Sequence, residues 1–429
     1  MLVLICMHIV IDMTDAMDTT DATDAMPEDT VLIIEPDFSG HRWRYAEWAA
    51  HAYVEAGYRC VIVTSPANAG HPLVEAIRGG ARPQLEIALV APPARTSRRG
   101  LSSISYVRFH QDFRHAFRVV SRDRSVALVV VPYVDYFFLA LPFLGSPFGS
   151  TPWVGITMRS NFHHCEVGVK APRRPLVNAL KARLFVRAIR TAGLRTLLTI
   201  DPTLTEWWSA IARGHAGRAP RDAAIDYLAD PFPDACAAEP ALAKARLGLG
   251  EGRHVLVYGA ITARKGVFEL ACALAARPGD AHAPTLVIAG AQDEDVRGPL
   301  REAVAKLVPA PVVMDRFISG ETELDLFSAC DAVWLGYKGH YGMSGVLVQA
   351  YRFGKPVIAT ADGLIGWFCR TGELGPVIDD LSAAAINGAL DRVLAGPREP
   401  LPEGRHLLER NTLGQFKQTL RQTLKQVIA

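Results

Sequence analysis

Two short stretches, far apart in the chain, carry groups suited to an anion. Arg264 and Lys265 stand side by side before Gly266 in YGAITARKGVFEL, residues 258–270. Gly342, Ser344 and Gly345 lie in GMSG, directly before the apolar segment VLVQAY. Adjacent cations at the end of an apolar run suit a diphosphate, whose charge grows as it departs. A glycine loop entering a helix offers free backbone N–H groups and a partial positive charge, and lets a ligand approach closely. Each stretch alone has an ordinary explanation: a solvated Arg-Lys pair, and a turn that needs glycine. Their presence in one alternating strand–helix half favours a single ligand held from two sides.

The elements that must position them are legible as apolar runs. VLIIEP, CVIVTS, LEIALVAPP, VALVVVPYVDYF and WVGITMRS alternate with helical spacing in the first half. HVLVYGA, TLVIAGA, PVVMDRF, DAVWLGY and KPVIATA do so in the second. Short continuous apolar runs between helices mean parallel strands covered on both faces. ADPFPDACAAEP, between the halves, is the linker candidate. The expected fold is α/β: two Rossmann-like domains whose parallel sheets face a central cleft. Ligands of such sheets bind beyond the carboxyl ends of the strands. That rule selects Ser39 to His41, Arg159, Gly259 to Gly266, Gly290 to Asp293 and Tyr337 to Gly345.

Composition narrows the class. The 429 residues suit two domains, and a net charge of +2 argues against a nucleic-acid partner. Seven scattered cysteines without a CxxC pair point to reduced thiols in the cytoplasm. No apolar run is long enough to span a membrane. Residues 1–28, with the acidic low-complexity stretch TDAMDTTDATDAMPED, read as a disordered extension or a start codon placed too early. No metal site is expected, because His163, His164 and the nearby acids lack a recognised ligand spacing. GMSGV lacks the last glycine of a hydrolase nucleophile elbow.

One segment is strongly biased. Between Glu166 and Asp201 there is no acidic residue, and Lys181, Arg183, Arg187 and Arg190 lie within it. Arg183, Arg187 and Arg190 share one helix face, beside an apolar face with Val177, Leu180 and Leu184. Such a helix reads as a contact with an anionic membrane surface, peripheral on the inner face, or equally as a solvated helix.

The pieces KARLGLGEGRHVLVYGAITARKGVFEL, TLVIAGA, ELDLFSACDAVWLGY and GMSGVLVQAYRFGKPVIAT, in this order over residues 241–395, resemble the donor domain of GT-B glycosyltransferases, most closely glycosyltransferase family 4. SGHRWRYAEWAAHAYVEAGYRCVIVTS resembles that family's glycine loop and helix near the acceptor. The resemblance implies an acceptor-side domain at 29–229 and a nucleotide-sugar domain at 230–400. It also implies a helix at 401–429 packing back on the first domain. It implies retaining transfer from a nucleotide sugar, used as co-substrate without a cofactor, to a glycan or lipid-linked acceptor in surface polysaccharide or glycoconjugate synthesis.

The family's lysine maps onto Lys265. Its arginine falls on Ala260, with Arg264 next door as the substitute. Gly40 and His41 map near the donor, with Gly342, Ser344 and Gly345 as further donor contacts. The family's two glutamates, eight positions apart, are replaced by Tyr341 and Gln349; Gln349 still offers hydrogen bonds to ribose hydroxyls. Arg159 stands where the family often has histidine, to neutralise donor phosphate or orient a hydroxyl. Asp135, His163 and His164 are acceptor-side candidates, each also readable as a structural turn residue. Loss of both glutamates keeps open a non-catalytic scaffold or a nucleotide-sugar epimerase.

Overall fold

The computed structural model describes residues 29–40, 42–80, 82–93, 105–214, 222–232, 234–277, 283–394 and 407–428. The extension expected at 1–28 and the candidate His41 lie outside the described residues. The first sheet holds β1 (Thr30–Ile34), β2 (Arg59–Thr64), β3 (Leu85–Leu89), β4 (Val126–Val131), β5 (Trp153–Thr157), β6 (Leu194–Thr199) and β7 (Ala224–Tyr227). Its order is β3-β2-β1-β4-β5-β6-β7. The second holds β8 (His254–Tyr258), β9 (Thr285–Ala289), β10 (Val312–Met314), β11 (Ala332–Leu335), β12 (Val357–Thr360) and β13 (Val377–Ile378), in the order β10-β9-β8-β11-β12-β13.

Every pairing is parallel. The cause is in the residues: β1, β5, β11 and β12 are buried along their whole length, as strands covered on both faces must be. The two sheets reverse winding direction between β1 and β4 and between β8 and β11. Those are the switch points beyond which ligands bind in such sheets.

The chain crosses between the sheets twice. The segment at Asp230–Phe232 leads out, and the segment at Asn411–Thr412 leads back. They lie side by side: Asn411 Nδ2 donates to the Asp230 carbonyl at 2.6 Å, and Phe232 N to the Asn411 carbonyl at 3.4 Å. The returning helix, Leu413–Ile428, packs on the first sheet's Arg42–Val54 helix. Phe416 meets the rings of Tyr45 and Trp48 at 5.6 and 5.8 Å. Burying three aromatic side chains there ties the end of the chain to its beginning.

The basic segment forms the helix Pro175–Ala188. It buries Phe185 and Ala188 but leaves Leu176 87% and Leu180 58% exposed. Arg190 lies beyond the helix end and pairs with Asp222 at 2.8 Å. Among the described residues no helix is long and apolar enough to cross a membrane.

Candidate active site

In the second sheet, β8 ends at Tyr258 and runs into a tight turn at Ala263–Lys265. Gly266 closes that turn at φ +63°, where a Cβ would come within 2.2 Å of the Gly336 carbonyl oxygen. Only glycine allows this approach, so the cationic loop lies flat against the exit of the neighbouring strand β11. Two hydrogen bonds fasten it. Lys338 N donates to the Arg264 carbonyl at 2.7 Å, and Trp334 Nε1 to the Lys265 carbonyl at 2.8 Å. The two anion-friendly stretches of the sequence thus leave adjacent strands at the same sheet end.

Lys265 Nζ donates to the Tyr258 carbonyl and, at 3.0 Å, to Tyr337 Oη, while standing 4.9 Å over the Tyr337 ring. Arg264 is exposed on the wall of the cleft. The glycine loop is held by His340, whose Nε2 meets the Met343 carbonyl at 3.1 Å. Burial pushes the His340 pKa down, and Arg264, Lys265 and Arg159 push it the same way against that hydrogen bond. The ring is therefore neutral and donates to the carbonyl, amid three cations drawn from both sheets. Ser344 opens the helix Gly345–Arg352. Gln349, on that helix, is only 2% exposed and stands off the cleft wall, whereas Tyr341 is on it.

In the first sheet the wall is made of side chains. From the exit of β1 come Glu35, Asp37, Gly40 at φ +65° and Arg42. Arg42 Nη1 donates to Asp37 Oδ2 and, at 2.7 Å, to Tyr136 Oη. Tyr136 Oη in turn donates to Glu35 Oε1 at 3.1 Å. Burial pushes the Glu35 pKa to about 8, against the pull of the Asp37 amide and Arg42; it is a neutral acid at pH 7. From the exit of β4 come Tyr133, Asp135 and Tyr136. Asp135 accepts from Thr157 Oγ1 and Met158 N, both at 2.7 Å, which fixes the exit of β5. Burial raises the Asp135 pKa, and these bonds oppose the rise. Arg159 follows, its guanidinium carbon 5.5 Å from the Tyr133 ring centroid.

A cavity of about 640 Å³ lies between the two sheets' ends. Its wall carries Gly40, Arg159, His164 and Lys181 from the first sheet's side, and Arg264, Gly342 and Gly345 from the second. The glycine loop faces β5 directly: a Cβ on Gly342 would be 3.8 Å from the Met158 carbonyl oxygen. Lys265 and Ser344 stand just behind this wall. Asp135 lines a smaller cavity of about 320 Å³ in the first domain. Arg183 and Arg187 point to solvent on their helix.

His163 and His164 are buried around one carboxylate. Their Nε2 atoms lie 3.2 and 2.9 Å from Asp201 Oδ2. Asp201 Oδ1 accepts from Thr203 N at 2.9 Å and Thr203 Oγ1 at 2.7 Å. Burial alone would raise the Asp201 pKa; the donors from both imidazoles instead hold it well below the usual carboxylate range. The three groups lie close enough to share a cation. As placed, they tie the loop after β5 to the start of the helix Pro202–Gly214, which follows β6. Sequence reasoning passed over Glu35, Arg42 and Tyr133, whereas His340 lies in the stretch Tyr337 to Gly345 that the strand-end rule selects. The strand-end rule, applied to VLIIEP and VPYVDYF, reaches Glu35 and Tyr133; no spacing marks Arg42.

Residues 243–412 match the family model described as glycosyl transferases group 1. No curated protein matches the chain by sequence. Among solved structures, sucrose-phosphate synthase from Thermosynechococcus elongatus is similar at 16% identity and a TM-score of 0.61, covering 93% of this chain and 96% of that one. An α,α-trehalose-phosphate synthase (UDP-forming) from Burkholderia vietnamiensis matches at 14% identity and 0.61, over 93% and 99%. Anabaena HepE, solved with UDP and glucose, matches at 15% identity and 0.57, over 93% and 100%.

Proposed function

We propose that this chain, a GT-B glycosyltransferase whose second domain belongs to the glycosyl transferases group 1 family, moves a sugar from a nucleotide sugar to a glycan or lipid-linked acceptor with retention at the anomeric carbon. The observation that carries the reading is one cavity onto which both switch points open, cations on each side and a glycine loop on one. HepE's complexes with UDP and with UDP-glucose make uridine diphosphate the first donor nucleotide to test.

In this reading the donor diphosphate lies against the Gly342–Gly345 loop. The acceptor oxygen bonds to the anomeric carbon on the face from which the diphosphate oxygen leaves. The breaking bond's electron pair goes with that oxygen, which also takes the acceptor's proton. No carboxylate nucleophile is required, which fits Tyr341 and Gln349 at the family's glutamate positions. Arg264, Lys265 and the amides opening the Gly345–Arg352 helix stabilise the departing charge. Lys265 reaches the diphosphate by exchanging the Tyr258 carbonyl for a phosphate oxygen, a rotation its flexible stem permits. Arg159 holds the acceptor from the opposite wall. No cofactor enters the step.

The Pro175–Ala188 helix, with exposed Leu176 and Leu180 beside Lys181, Arg183 and Arg187, would rest on an anionic membrane surface at the cytoplasmic face. This fits an acceptor used in surface polysaccharide or glycoconjugate synthesis. A scaffold reading rests on the missing glutamates and on Gln349 being buried off the wall.

Thermal shift with UDP-, GDP- and ADP-sugars separates these. One donor should stabilise the protein, Lys265→Ala should reduce the shift, and that donor should be slowly hydrolysed. Binding without any turnover favours the scaffold, and a free sugar epimer favours the epimerase. No shift with any donor contradicts the proposal.

A further inference from the structure

The smaller cavity of the first domain opens beside the cleft, and the two share Arg42, Tyr133, Arg159, Ser160, Asn161 and Lys181 in their walls. Its remaining wall is mostly aromatic, Tyr106, Phe109, Tyr136, Phe138 and Phe162, with Ser105, Asp135 and Leu139 between them. The charges in it do not balance. It carries three cations, Arg42, Arg159 and Lys181, against one carboxylate, Asp135. Arg42 is satisfied by Asp37. Asp135 feels the charge of Arg159, but both its oxygens are engaged by Thr157 and Met158. Among the described residues, neither Arg159 nor Lys181 forms an ion pair.

Arg159 is held in place by its neighbours, with its guanidinium over Tyr133 and the backbone beside it pinned by Asp135. Lys181 sits on the Pro175–Ala188 helix, next to exposed Leu180. Two unpaired cations in an aromatic-walled cavity suit a group carrying up to two negative charges, attached to a ring or chain that packs on the aromatic faces.

We infer that this cavity is the acceptor subsite and selects an acceptor bearing a phosphate, gripped by Arg159 and Lys181, with its attached ring or chain against Tyr106 and Phe109. This rests on the transfer reading above and gives its acceptor a chemical class. Phosphate is favoured over carboxylate because two separate cations, one a forked guanidinium and one a point charge, match a tetrahedral dianion better than a planar monoanion. The phosphate can belong to a soluble sugar phosphate or to a phospholipid headgroup. The second would place its chains along Leu180 and Leu176.

The test uses the full chain and isothermal titration with four probes: glucose 6-phosphate, glucose, glucuronic acid and a short-chain phosphatidylinositol kept below its micelle concentration. UDP binding is measured in parallel. At least one phosphate-bearing probe should bind, with glucose and glucuronic acid weaker by about tenfold or more. Which phosphate probe binds identifies the source. Lys181→Gln and Arg159→Gln should each weaken it by about tenfold, and Lys181→Arg should largely restore it. Unchanged melting curves show that the variants fold, and a Lys181→Gln chain that binds the phosphate probe like the parent overturns the inference.

Glucose or glucuronic acid binding as tightly as the phosphate probes also overturns it, as does the absence of binding by both phosphate probes. So does displacement of the phosphate probe by UDP in simple competition, which would put it in the donor site. If UDP binds while phosphate selectivity is absent, this inference fails and the transfer reading stands. If phosphate probes bind as expected while no nucleotide does, the transfer reading is what fails.

Discussion

At the exits of β8 and β11 the cleft wall bares backbone at three glycines, Gly339, Gly342 and Gly345, among side chains such as Tyr341, with Arg264 in front and Lys265 behind. At the exits of β1, β4 and β5 it is mostly side chains, Arg42, Tyr133 and Arg159 among them. Both are switch points of the same kind of sheet. Backbone amides and helix starts suit a diphosphate common to many donors, and they need glycine to let it close in. Side-chain walls suit a partner that differs from one enzyme to the next, because each residue can be exchanged without disturbing the strands.

If the division is right, changes on the two sides should break different things. The largest effect is expected on the second side. Arg264→Ala and Lys265→Ala should each lower kcat by about 10²–10³ with any accepted donor, since the loss falls on transition-state charge. Equal kcat in variant and parent would remove the cationic loop from the chemistry.

Gly266→Ala should act through structure. A Cβ meeting the Gly336 oxygen at 2.2 Å, on a residue at φ +63°, should cost about 2–4 kcal/mol in urea unfolding. A smaller cost would mean that the loop can lift off β11.

On the first side, Glu35 gives a pH signature. Its carboxyl titrates near 8 in the folded chain against a usual 4.5. Between those values the folded state holds a proton that the unfolded state has released. Stability from this group is therefore complete below pH 4.5 and is lost as pH rises through 8, by up to about 1.4 kcal/mol per pH unit. Glu35→Gln should flatten that part of the stability–pH curve relative to the parent. Identical slopes would show that the acid ionises freely.

The smallest effect on chemistry is expected from Arg183→Gln with Arg187→Gln. Donor turnover in solution should stay within about twofold, while flotation with anionic vesicles should fall. Undiminished flotation would detach that helix from the membrane.

The same contrast explains what could be read from the sequence. The second domain's site was legible because glycines and a cation pair are local signals: Arg264 and Lys265 are adjacent, and Gly342 to Gly345 is one turn. The long apolar strands were legible for a similar reason. β6, with Arg195 and two threonines, β7, interrupted by Asp226, and the two-residue β13 carry no comparable run. The first domain's wall is assembled from places over a hundred residues apart, as with Arg42 and Arg159, and only the strand order brings them together. Which way a side chain turns was legible only in part: Arg264 and Arg159 stand on the cleft wall. Lys265 was assigned to the cleft, and in the structure its ammonium bonds Tyr258 and Tyr337 behind the wall. His163 and His164 are acceptor candidates; both bond the Asp201 carboxylate, and His164 also stands on the cavity wall.

Calorimetric titration of UDP, and then of GDP and ADP, into the parent chain and into the Arg264→Ala, Lys265→Ala double variant tests the central claim most directly. One diphosphate should bind the parent at one equivalent, and the double variant should lose at least about tenfold in affinity. Equal affinity in the two proteins would contradict a diphosphate held at the junction of β8 and β11.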